Sequence, residues 1–162
     1  MSNRIGNNLV HFGANEELVR ALSNAGVRFV VVGGLAVAWY CPERQADDMD
    51  LLVEPTSENS ERIALVLTKL RIVGFSPESF AKPGLQVPLK QTFHAELLTP
   101  QQEAPTFSEI EAGAVDAKLF NIPVRLASVL TLIEMKKRAV QSATEQQEKH
   151  LKDIVLLEKH DA

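Results

Sequence analysis

Apolar positions change their spacing several times along the chain, and each change marks an element. Between Ala14 and Ala25, Leu18, Val19 and Leu22 recur at helical intervals, with Asn15 placed to cap the start and Gly26 to end it. The unbroken apolar run Phe29 to Val32 reads as a buried strand, and Gly33-Gly34 as a turn into a short helix of small residues. A polar loop comes next, then a second strand ending at Val53. Successive side chains on a strand face opposite ways, so Asp48 and Asp50 share one face and Met49, Leu51 and Val53 the other. Pro55 stops that strand. Thr56 or Ser57 caps the next helix, to which Ile63, Ala64, Val66, Leu67 and Leu70 give a broad apolar face. A parallel strand reached by such a crossover is right-handed by default.

Beyond this helix, Ile72 to Phe75 reads as a short strand and SPESFAKPG as irregular chain. The clearest later strand is Thr92 to Leu98, with Phe93, Ala95 and Leu97 on one face and His94, Glu96 and Leu98 on the other. TPQQEAPTFSEIEAGA carries no motif and is expected to be a loop. VDAKLFNIPVRL, Val115 to Leu126, alternates like a hairpin turning near Phe120-Asn121. Ser128 can cap a helix whose apolar face runs through Leu132, Ile133, Ala139 and Val140, and Leu151, Ile154, Val155 and Leu157 form the face of a last one. Residues 1–13 are polar and glycine-containing and are expected to be a loose arm. Residues 14–162 carry neither repeat nor linker and are expected to form a single domain.

With 162 residues, 45% of them hydrophobic and 23% charged, the chain can bury a real core and is not of disordered type. A net charge of −4 gives no support for sequence-independent nucleic-acid binding through overall charge. The single cysteine, Cys41, excludes an internal disulfide and reads as a small buried hydrophobe. The N-terminus has no signal-type apolar core, and the longest apolar run, Phe29 to Cys41, is broken by two glycines and falls short of the ~20 residues a membrane helix needs. These features point to a cytoplasmic protein with no membrane segment.

Two carboxylates side by side on one strand repel each other, and a divalent cation is the simplest thing that makes the arrangement favourable. Gly33 and Gly34 lie a short helix and a loop upstream, where glycine lets backbone approach a ligand and a helix N-terminus points N–H groups at it. Phosphate is the usual occupant of such a cradle, so acids and glycines together suggest a site for a metal-bound nucleotide. Glu96 is a half-buried acid on an apolar strand and needs a partner, for which a salt bridge with an arginine is the structural reading. His94, on the same face, is placed where it could contact substrate, but it reads more simply as a satisfied strand residue and is assigned no chemistry. Lys118 and Arg125 are expected to face solvent, with a substrate-facing role left open for Arg125. Lys136 falls on the packing face of its helix, where a lysine wants a negative partner or snorkels to water.

The order apolar strand, Gly33-Gly34, short helix, Arg44-containing loop and Asp48-x-Asp50 resembles the nucleotidyltransferase fold of the DNA polymerase beta superfamily. The likeness is greatest to small bacterial minimal and abortive-infection or toxin-type nucleotidyltransferases. It implies an α/β (α+β) fold with a mixed sheet flanked by helices and a helical C-terminus. It also implies that the glycines hold an NTP and that Asp48, Asp50 and a third acid, for which Glu96 is the candidate, hold two Mg2+ or Mn2+ ions and are the catalytic residues. Arg44 falls where small members often carry an arginine, Leu132-Ile133-Glu134-Met135-Lys136 matches a Leu-Ile-x-x-Lys segment, and Lys152-Asp153 matches a Lys-Asp pair of the final helix. Arg44, Lys136 and Asp153 are therefore added to the nucleotide-binding candidates, although Lys136 and Asp153 also suit a structural ion pair. Ala46, where many members have threonine, and Glu96, where aspartate is usual, depart from the pattern. The implied activity is transfer of a nucleoside monophosphate to RNA, protein or a small molecule, with a partner protein and a toxin-antitoxin role by analogy. The alternative is a catalytically degraded module of the same fold that binds nucleotide or a partner. A dinucleotide-binding domain is a weaker reading, since Gly-x-Gly-x-x-Gly and the Walker lysine motif are both missing.

Overall fold

A computed structural model describes residues 13–89, 93–142 and 147–161. The helix α1 (Gly13–Asn24) leads into β1 (Phe29–Val32), α2 (Gly33–Tyr40), β2 (Met49–Val53) and α3 (Ser57–Lys69). Then come β3 (Gln86–Pro88), β4 (Ala95–Leu98), α4 (Phe107–Gly113), the hairpin β5 (Val115–Leu119) and β6 (Ile122–Leu126), and finally α5 (Val129–Ser142) and α6 (Gln147–Asp161). The strands form one six-stranded sheet in the order β3-β4-β2-β1-β6-β5. It is mixed: β1 runs antiparallel to β2 and parallel to β6, and β2 runs parallel to β4. This is the expected mixed α/β sheet with helices and a helical C-terminus.

The central position of β1 and β2 explains their composition. All four residues of β1 are buried, as are all of β2 except the partly exposed Asp50, the pattern of strands in the middle of a sheet whose two faces are both covered. Thr56 caps α3 by accepting from the Asn59 N–H, and Ser128 Oγ accepts from the Thr131 N–H at the start of α5. The β5–β6 turn falls at Phe120 and Asn121, both with positive φ, the geometry of a tight two-residue hairpin turn.

Several sequence expectations need correction. Ile72 to Phe75 is not a strand: Arg71 and Gly74 have positive φ, which bends the chain and leaves Val73 in solvent. The expected loop before Val115 contains α4, a seven-residue helix started by a reciprocal capping box between Thr106 and Glu109. The strand β3 is a further addition, three residues antiparallel to β4 at the sheet edge. Gly33 and Gly34 are not a separate turn but the first residues of α2. Asn15 does not cap α1; it lies inside the helix, buried, and bonds to distant backbone. Only half of the last apolar face packs inward, with Ile154 and Leu157 buried and Leu151 and Val155 exposed. The expected arm falls almost wholly outside the described residues, as does Thr92. No helix among the described residues is long and apolar enough to cross a membrane.

Candidate active site

The register of the sheet decides which acids meet. Asp50 is the cross-strand partner of Val32, the last residue of β1, on one side and of Glu96 on the other, so Asp50 and Glu96 stand side by side on neighbouring parallel strands. The strand β2 begins at Met49, so Asp48 lies on the bend leading into it, partly exposed. Burial, then the Glu96 and Asp48 carboxylates, push the Asp50 carboxyl up to about 7, against the opposing pull of the Lys136 and Lys149 ammoniums. Asp48, two positions away, and Glu96, 46 positions away, thus both act on Asp50 electrostatically.

Each glycine makes room for one charged side chain. Gly33 has φ of 71°, and a β carbon there would collide with the Asp50 carboxylate. A β carbon on Gly34 would stand 2.8 Å from Arg44 Nη2. The residue before them, Val32, has no side chain able to cap α2, so the helix presents its first N–H groups beside a carboxylate and a guanidinium. At its other end α2 is fixed by Tyr40, whose hydroxyl donates to the Ala127 carbonyl at 2.9 Å. Cys41 is buried, as expected.

The remaining candidates form a second cluster. Arg44 donates to both Asp153 oxygens, from Nε at 2.7 Å and Nη2 at 3.1 Å, and Lys136 Nζ lies 3.0 Å from Asp153 Oδ2. The Asp153 side chain is 1% exposed. Burial works against its charge, but Arg44 and Lys136 outweigh that and hold the carboxyl below the usual range. Lys136 Nζ also lies 3.3 Å from His150 Nδ1; burial first, then that ammonium, keeps the imidazole below its ordinary pKa. Asp153 is thus engaged by two cations of the chain itself, the ion pair that the sequence leaves open as the structural reading of Lys136 and Asp153.

Arg125 pairs with Asp116 at 2.6 Å and donates to the Glu111 and Ala114 carbonyls, and Lys118 is exposed. A surface depression of about 300 Å³ beside Arg28 and Arg125 lies at the end of β1 remote from Gly33. Its arginines are already paired with Glu54, Glu111 and Asp116.

Among the described residues, no three His, Cys, Asp or Glu side chains are drawn into a cluster that could enclose a metal ion. Mg2+ does not require one, because it keeps several waters and binds through one or two carboxylates together with substrate phosphates. The Asp50–Glu96 pair supplies such a donor set, and the raised Asp50 pKa marks crowded negative charge that a cation would relieve. One neighbour of the site escapes sequence reasoning, and for a second, His94, the sequence leaves substrate contact open. His150 has no motif to mark it. His94 reads as an ordinary strand residue, although His94-x-Glu96 repeats the spacing of Asp48-x-Asp50 on the adjacent strand.

A sheet of this order, with paired acids beside a glycine-started helix, defines a nucleotidyltransferase-like fold. Solved structures of that description superpose on it. ANT(2'')-Ia in complex with adenylyl-2''-tobramycin matches with TM-score 0.56 and 18% identity, over 91% of this chain and 90% of that one. The solution structure of the antibiotic-resistance factor ANT(2'')-Ia matches with TM-score 0.58 and 17% identity, over 91% and 82%. An antigenic nucleotidyltransferase-like protein from Paracoccidioides brasiliensis matches with TM-score 0.55 and 16% identity, over 88% and 73%. At these identities the likeness is one of fold. No protein-family model matches the chain, and no curated protein does.

Proposed function

We propose that this protein transfers a nucleoside monophosphate from an NTP to the hydroxyl of an acceptor. The observation that carries this reading is the Asp50–Glu96 register pair standing beside the glycine start of α2. Asp48, Asp50 and Glu96 are the residues that would hold two Mg2+ or Mn2+ ions. When bound, these ions supply charge neutralisation of the triphosphate and lower the pKa of the acceptor hydroxyl.

The N–H groups of Gly33 and Gly34 receive the triphosphate at the helix N-terminus. Arg44 and Lys136, each already oriented by Asp153, add positive charge where the departing pyrophosphate gains negative charge. Asp153 belongs to the nucleotide site through these two cations. Glu96 orients the acceptor hydroxyl. Its oxygen forms a new bond to the α-phosphorus, the bond from that phosphorus to pyrophosphate breaks, and the hydroxyl proton passes to a site carboxylate. The adenylylated antibiotic held by the similar ANT(2'')-Ia structure is the type of product this reaction gives. RNA, protein and small molecules remain the acceptor classes to assay, and a toxin-antitoxin role rests on analogy alone.

The test supplies each α-labelled NTP with Mg2+ and candidate tRNA, protein or aminoglycoside acceptors. Labelled acceptor that disappears in Asp50→Asn supports transfer. Tight metal-dependent nucleotide binding with no labelled acceptor in any class would instead favour a binding module of the same fold.

A further inference from the structure

His150 and Asp153 stand three positions apart on α6, hence on one face, and both turn towards Lys136 on α5. The Lys136 side chain is 10% exposed, with Nζ 3.0 Å from Asp153 Oδ2 and 3.3 Å from His150 Nδ1. An ammonium has three N–H donors and no lone pair with which to accept. In this contact His150 Nδ1 is therefore the acceptor, and the ring proton sits on Nε2. Burial first, and then the Lys136 charge, disfavour the charged ring, which could not accept at all. Two of the three Lys136 donors are thus engaged, one by a carboxylate that balances charge and one by a neutral imidazole that only fixes direction. Among the described residues nothing engages the third. The same ammonium is the stronger of the two that act on the Asp50 carboxyl, so its charge is felt in the acidic site.

We infer that His150 is a positioning residue of the nucleotide site, holding the Lys136 ammonium so that its third N–H is turned to the triphosphate. The inference rests on the nucleotide-binding role proposed above for Lys136. A lysine ends in a point charge on a flexible four-carbon stem. Tied to Asp153 alone, that charge is free to swing towards the Asp50 carboxylate, where it would compete with the phosphates. A second anchor from the same face of α6 removes this freedom. A neutral acceptor suits the task better than another acid. Arg44 and Lys136 set two positive charges against the one negative charge of Asp153, and an uncharged imidazole leaves that surplus for the phosphates.

The affinity for a non-hydrolysable NTP with Mg2+ is measured by titration calorimetry for the wild type, His150→Ala, His150→Asn, Lys136→Met and the double variant His150→Ala with Lys136→Met. Melting temperatures are read on the same samples. Asparagine offers a side-chain oxygen where histidine offers Nδ1, so it restores the acceptor without the ring. The expected result is NTP binding about tenfold weaker in His150→Ala, the scale of a lost hydrogen bond to a charged group, and within about threefold of wild type in His150→Asn. Once Lys136→Met is present, His150→Ala should cause no further loss, because the two residues act as one unit. An unchanged affinity in His150→Ala, an equal loss in His150→Asn, or the same loss in the Lys136→Met background overturns the positioning role and leaves the transferase reading standing. Should the Lys136→Met proteins fail to fold, the comparison of His150→Ala with His150→Asn decides alone. If the wild type binds no NTP, both readings fall.

Discussion

Asp50 concentrates the electrostatic cost of the site. Its carboxyl has a pKa of about 7 in the folded chain against 3.8 for the free group, so the native state takes up a proton between those values. Stability from this uptake is fully present below pH 3.8 and is lost as pH rises through 7. Asp50→Asn should therefore stabilise the metal-free protein at pH 8, by on the order of 2–4 kcal/mol after allowance for the partial exposure of the side chain, with the gain fading towards pH 4. Urea denaturation at the two pH values measures it, and a variant less stable than wild type at pH 8 would contradict the charge-crowding account. Gly33→Ala acts in the opposite direction. With positive φ and the Asp50 carboxylate in the way, it should cost at least about 1 kcal/mol, read as a lowered melting temperature. Both residues are legible in the sequence because strand alternation and a glycine pair are local signals. Asn15 is not, since its partner is 79 residues away and an asparagine near a helix start is ordinarily a cap.

Arg44, Lys136 and Asp153 join the loop after α2 to α5 and α6 through one buried carboxylate. Removing that carboxylate leaves the buried Lys136 and the partly buried Arg44 poorly compensated, so Asp153→Ala should destabilise the protein by about 3–5 kcal/mol at pH 7. The Asp153 pKa is depressed on folding, so this stability is present above the ordinary carboxylate pKa and is lost as pH falls through the lower folded one. The gap between wild type and Asp153→Ala should accordingly narrow in acid. Equal denaturation midpoints at pH 7 would show that the cluster does not hold these elements together. Long elements with clear periodicity, such as α3 and α5, are readable from the sequence. The three-residue β3 and seven-residue α4 are not, because neither spans enough residues for a periodic signal. Thr106 and Glu109 are nonetheless a usable mark for α4, the spacing of a capping box.

At the scale of the whole molecule, the sheet order turns a scattered set of acids into a site. β4 lies beside β2 only because the chain crosses over through α3 and returns along β3, and this brings Glu96 next to Asp50 across 46 positions of sequence. Local sequence patterns supply the members of the set but not their register, and a shift of one residue would reverse it by turning Glu96 to the other face. The same folding sets α5 and α6 against α2, so Lys136 and Lys149 act on Asp50 despite the overall charge of −4. If this juxtaposition binds a metal-bound nucleotide, a crystal soaked with Mn2+ and a non-hydrolysable NTP will reveal it in an anomalous difference map collected for manganese. The expected result is manganese peaks about 2.1–2.3 Å from carboxylate oxygens of Asp50 and Glu96, with the triphosphate on the N–H groups of Gly33 and Gly34. Nucleotide bound elsewhere, or manganese density away from these carboxylates, would contradict it.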